Sequence, residues 1–123
     1  MDTMHSYRRL EAWKQAHAAL GLTLRATDEA YHGKSRALFD QLKRAAISVE
    51  ANIVEGYALG TPALCRRHLR IALGSAAEAE CLALVAGEAE YLELSIVRRL
   101  ENMFGGAIRA LRTLLLKPPN SGS

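Results

Sequence analysis

The stretch from Thr61 to about Ala86 constrains the fold more than any other part of the sequence. Thr61-Pro62 supplies a helix start, with Thr as the cap and Pro in the first turn, where its missing N–H costs nothing. Beyond it, Leu64, His68, Ile71, Ala72, Ser75, Ala79 and Leu82 fall on one helical face. Leu69, Leu73, Ala76 and Leu84 take much of the opposite one, leaving Arg67, Arg70, Gly74 and Glu78 as a narrow polar strip. A helix apolar on most sides is surrounded by other helices. At 123 residues the chain has room for one core, so complete surrounding calls for another subunit.

Three further segments repeat the helical spacing, and no strand pattern competes. The first, about Tyr7 to Thr27, places Leu10, Trp13, His17, Leu20 and Leu24 on its expected inner side, and the polar stretch Asp28 to Ser35, with Gly33, ends it. The second, about Ser35 to Gly56, turns Leu38, Leu42, Ala45, Val49, Asn52 and Ile53 inward; Gly56 and the residues up to Gly60 suit a helix stop. Its back carries Ile47, Ala51 and Val54, which a single-chain bundle leaves in water. Together with Leu69 and Leu73, these are the expected oligomer contacts.

Gly87 to Glu93 is the next expected turn, and the fourth segment runs from about Leu94 to Leu116. It points Val97, Leu100, Phe104, Ala107, Ile108, Leu111 and Leu114 inward and Arg98, Arg99, Asn102, Arg109 and Arg112 outward, and Gly105-Gly106 admits close packing. The chain is half apolar but only 6% aromatic, the balance of a helical bundle. The expectation is an all-α, up-down-up-down antiparallel four-helix bundle over 7–116, with 1–6 as an extension and 117–123 as a disordered tail. No stretch approaches the roughly 18 apolar residues of a membrane span, and the first residues are polar, so a cytoplasmic protein without a membrane partner is expected.

Chemistry of the enzymatic kind finds little to build on. Cys65 and Cys81 lie sixteen residues apart in one predicted helix, a rise of roughly 24 Å that rules out a disulfide between them. His17 and His68 sit on expected inner faces, and Glu78 and Glu80 point roughly 200° apart, so no metal set forms. Ser75 follows Gly74 but lies mid-helix, away from any strand-turn-helix elbow. No cofactor is expected, and no enzymatic activity.

Charge is more informative in its distribution than in its total of +3. Residues 1–77 carry +4, 78–101 carry −4 and 102–123 carry +3, and twelve of the sixteen cations are arginine. Arg66, Arg67, Arg70, Arg98, Arg99, Arg109 and Arg112 are the candidates for contacts with RNA or DNA phosphates; the same side chains serve equally in surface and intersubunit ion pairs. Tyr and Phe are sparse beside them, so no aromatic stacking platform is expected.

Several motifs together resemble one family. Tyr7 to His17, reading Tyr-Arg-Arg-Leu-Glu-Ala-Trp-Lys-Gln-Ala-His, is followed in register by Gln41-Leu42-Lys43-Arg44-Ala45-Ala46-Ile47-Ser48-Val49 and Ala51-Asn52-Ile53-Val54-Glu55-Gly56. Leu69-Arg70-Ile71-Ala72-Leu73-Gly74-Ser75 comes next, with Glu78 after it. From Tyr7 to Leu92 the chain is similar to the small bacterial four-helix-bundle proteins first noticed as products of intervening sequences in the large-subunit ribosomal RNA gene. The fourth segment is similar in pattern only.

The resemblance implies a ring-like homopentamer in a ribosomal-protein-like family without an established activity. A related branch, accessory proteins of diversity-generating retroelements, associates with a reverse transcriptase and nucleic acid, which makes those the implied further partners. One residue departs from the pattern: Glu50 stands where the family usually has Pro. Within the signature, Asn52 lies near the core face within reach of a neighbouring helix end, and Glu55 sits near a helix C-terminus, where a carboxylate needs a neutralising partner. A polar clasp and a ligand contact are both open readings of these two residues. For the whole chain, an oligomeric nucleic-acid-binding module and a protein-interaction scaffold remain the alternatives.

Overall fold

Alanine sets how the helices meet. In the computed structural model, which describes residues 7–117, the chain forms α1 Glu11–Glu29, α2 Arg36–Ala58, α3 Pro62–Glu88 and α4 Leu94–Leu116. The expected extension 1–6 and all of the expected tail after Lys117 lie outside the described residues. The buried face of α3 is Leu69 followed by Ala72, Ala76, Ala79, Ala83 and Ala86; that of α1 is Ala12, Ala16, Ala19 and Ala26 with Leu22, Thr23 and Thr27. Bulk comes from the other two helices: Phe39, Leu42, Val49 and Ile53 on α2, and Val97, Leu100, Phe104 and Leu111 on α4. Both α1 and α3 pack against α2 and α4. Small-faced and large-faced helices therefore alternate around one core, and large side chains enter the space that alanine leaves.

Partner residues rise in number along one helix as they fall along the next. Gln41, Ser48 and Asn52 of α2 meet Glu78, Ser75 and His68 of α3. Gly87 and Gly105 mark the α3–α4 contact: a methyl on Gly87 would lie 2.8 Å from Val97, and one on Gly105 3.3 Å from Glu80. Gly106 presses on Gln15 of α1 in the same way, so the Gly105-Gly106 pair admits close approach on two sides.

Several expectations are corrected. Helix α1 begins at Glu11, not near Tyr7, because residues 7–9 form a 3-10 turn that ends in extended backbone at Leu10. Its core face is rotated by roughly 100° from the expected one. Leu24 is exposed and the His17 side chain is 63% exposed, whereas Trp13 and Leu20 are half-buried on the flank. The large apolar side chains drew the expected face, but the alanines let α1 approach its neighbours.

On α3, Leu64 and Ile71 are likewise exposed, and Leu69, expected at an oligomer contact, lies in the chain's own core at 3% exposure. Gly56 does not stop α2. The helix continues to Ala58, and the reversal is made at Gly60, whose φ of 81° suits glycine. Gly56 instead admits α3, since a methyl there would lie 3.1 Å from Cβ of His68 and 3.2 Å from the Cys65 carbonyl oxygen. Thr61 caps α3 by accepting from the Leu64 N–H at 3.3 Å, with Pro62 in the first turn.

Candidate nucleic-acid interface

Folding gathers cations that the sequence keeps apart. Arg66 at the start of α3 donates to the Lys117 carbonyl at the end of α4 at 2.9 Å, and the start of α1 lines a cleft with the end of α4. The half of the bundle built from 7–20, 47–75 and 105–117 thus holds Arg8, Arg9 and Lys14, Arg66, Arg67 and Arg70, and Arg109, Arg112 and Lys117. Against these nine cations stand Glu11, Glu50 and Glu55, a net +6. The other half, 21–46 and 76–104, carries seven cations and nine carboxylates, a net −2.

Five of the seven expected phosphate-binding residues, Arg66, Arg67, Arg70, Arg109 and Arg112, therefore share the basic end. Arg98 and Arg99 are exposed at the opposite end, in the same half as Glu88, Glu90, Glu93 and Glu101. Arg8, Arg9, Lys14 and Lys117 join the basic end without having been candidates for phosphate contact: the first three lie inside the Tyr7–His17 motif, and only the pairing of helix ends brings them beside the others. Arg66 is half-buried, while Arg67, Arg70, Arg109 and Arg112 are exposed. Among the described residues no arginine is ion-paired with a carboxylate; Lys43 pairs with Asp40, and the His17 and His68 rings lie beside Glu50 and Glu55.

The signature residues lie elsewhere, along the α2–α3 seam. Asn52 Nδ2 donates to the Ser48 carbonyl at 2.8 Å, which turns Oδ1 toward His68. Being an acceptor only, Oδ1 takes a hydrogen bond from His68 Nδ1 at 2.8 Å. Glu55 stands 3.6 Å from the same nitrogen, so the side chain nearest its carboxylate is a histidine rather than an arginine. Farther along, the Ser48 and Ser75 hydroxyls meet at 2.7 Å and Gln41 Nε2 donates to Glu78 at 2.7 Å. Asn52, Glu55 and Glu78 thus lie along one polar ladder that ties α2 to α3, Gly56 lets the two helices approach beside it, and the partner of Asn52 is the His68 side chain in the second turn of α3, not the backbone of a helix end.

Near this seam, burial pushes the Cys65 thiol above its ordinary range against a smaller downward pull from Arg66. Burial, and secondarily Cys65, does the same to the Tyr57 hydroxyl. Among the described residues no three His, Cys, Asp or Glu side chains are placed to hold a metal ion.

The outer side of α2 carries a third feature. Ile47 is 49% exposed, and Ala51 and Val54 continue its row at helical spacing, both half-buried. Leu73 is half-buried against the core. No helix among the described residues is long and apolar enough to cross a membrane.

These helices define an all-α four-helix protein, basic at one end, with a polar ladder along the α2–α3 seam. A family model described as 23S rRNA-intervening sequence protein matches residues 8–113, and the chain belongs to that family. The match takes in most of α4, beyond the Leu92 limit of the motif resemblance. No curated protein matches the chain.

Proposed function

We propose that this chain is a non-enzymatic, antiparallel up-down-up-down bundle that assembles as a homopentamer and binds RNA or DNA phosphates through its basic end. The observation that carries the reading is the gathering of nine cations at one end, with no arginine among the described residues held by a carboxylate. Facing pairs that run in opposite order along neighbouring helices support the topology. The apolar row of Ile47, Ala51 and Val54 supports the assembly, because a contact between copies removes it from water. Cyclic symmetry repeats the basic end in every copy, so five copies carry about +30 on their basic ends. The test is a retardation series with duplex and single-stranded RNA. Affinity should fall by about 0.9 log unit per log salt for each duplex phosphate neutralised. Absence of binding at low salt contradicts the reading.

A second reading keeps the assembly and assigns the arginines to protein contacts. The opposed charge of the two ends, +6 against −2, favours it, because an acidic partner surface would pair with the basic end as well as phosphate does. Under that reading no RNA is bound at low salt, while the oligomer remains intact.

A further inference from the structure

A cleft of about 540 Å³ opens between the start of α1 and the end of α4, inside the basic end. Its size falls within the ~300–1,000 Å³ of small-ligand sites. Leu10, Ala110 and Leu114 give it a half-buried aliphatic floor, and Arg109 stands at its wall. Two of the remaining polar groups are bonded to each other. Gln15 Nε2 donates to Glu11 Oε2 at 2.8 Å, and the Gln15 side chain lies so close to α4 that a methyl on Gly106 would be 3.0 Å from its amide carbon. A second N–H of Gln15 and a second oxygen of Glu11 are then a donor and an acceptor at the edge of an apolar floor.

A cation beside an apolar floor with paired donor and acceptor groups matches three features of a nucleotide: phosphate, base face and base edge. We propose that this cleft seats a single nucleotide, its phosphate on Arg109, its base against the floor of Leu10, Ala110 and Leu114, and its base edge on Gln15 and Glu11. The inference rests on the phosphate-binding reading of the basic end and sharpens it, because a base can enter the cleft only when unpaired. The floor is aliphatic, so it needs none of the aromatic residues that the sequence lacks.

Gly106 supplies the test. Alanine there favours the helix and meets only the movable end of Gln15, so Gly106→Ala leaves the protein folded while displacing the carboxamide. Fluorescence anisotropy on the full-length protein compares a 15-nucleotide single strand, a duplex of the same sequence, and uridine and cytidine monophosphates as competitors. The expected result is an approximately tenfold weaker Kd of Gly106→Ala for the single strand, unchanged duplex binding, and weakening of both by Arg109→Gln. Displacement of the strand from wild type by a mononucleotide at millimolar concentration identifies the free nucleotide as a ligand; failure to displace it identifies a nucleotide within a strand. Single-strand affinity unchanged in Gly106→Ala, or lowered equally with the duplex, overturns the cleft proposal while leaving phosphate binding intact. Loss of all binding in wild type overturns both.

Discussion

The indole N–H of Trp13 on α1 donates to Oε2 of Glu50 on α2 at 2.9 Å, across 37 residues of sequence. His17 Nδ1 lies 2.9 Å from the same oxygen, and its ring stacks on the indole with centroids 4.7 Å apart. The residue that departs from the family pattern is therefore a tie between two helices, and α2 runs unbroken through it from Arg36 to Ala58. The other oxygen, Oε1, is buried with no hydrogen-bond partner among the described residues, so the carboxylate is desolvated on one side and used on the other.

Glu50→Ala should leave the Trp13 N–H without its acceptor and destabilise the fold by about 1–3 kcal/mol. Thermal unfolding followed by Trp13 fluorescence reads the loss. A midpoint equal to wild type would show that the tie contributes nothing.

Two glycines should respond with opposite signs. Gly56→Ala drives a methyl against Cβ of His68 and the Cys65 carbonyl, where backbone must shift, at a cost of about 1–3 kcal/mol. Gly74 is exposed in mid-helix with nothing within 4 Å of an added Cβ, so Gly74→Ala should stabilise by about 1 kcal/mol. Denaturant titration of the two variants checks both signs.

The proposed oligomer contact at Ile47 and the core position Leu69 are separable by aspartate. Ile47→Asp should stay folded but dissociate, because its site is open in the single chain. Leu69→Asp should fail to fold, since it buries a carboxylate without a partner. Light scattering with circular dichroism distinguishes the two; an Ile47→Asp variant with wild-type mass contradicts the assigned face.

The thiols should differ in reactivity. Cys81 is exposed and Cys65 half-buried with its neutral form favoured, so iodoacetamide at pH 8 should modify Cys81 first. Because Cys65 and Tyr57 both titrate higher in the fold than in the unfolded chain, the stability they contribute is whole below about pH 8.5. It is lost as pH rises through their folded values. The double variant Cys65→Ala, Tyr57→Phe should show a shallower fall in Tm above that pH, and an unchanged slope would count against the assignment.

What the sequence made legible follows from how sharply each helix divides its faces. In α4 the arginines and the large apolar residues separate cleanly, and its limits match the observed Leu94–Leu116. In α1 the contact face is largely alanine, which carries little hydrophobic weight, so Trp13, Leu20 and Leu24 dominate the apolar pattern although they lie on a flank. The polar ladder was legible as a set of signature residues, yet its pairings needed the register of α2 against α3. The basic end was hidden for a different reason. A chain-wise tally groups Arg8 and Arg9 with Arg25 and Arg36, whereas the fold sends those pairs to opposite ends and joins the first to Arg66 and Arg112.

Under the proposed function, position along the bundle, not arginine content, determines binding to nucleic acid. Arg67→Glu, Arg70→Glu and Arg98→Glu, Arg99→Glu make the same charge change, and all four residues are exposed. In a duplex RNA titration at fixed salt, the first pair should weaken binding by at least about tenfold and flatten the salt dependence by about one to two phosphates. The second should leave both close to wild type. Equal losses from the two pairs would show that position along the bundle does not decide binding.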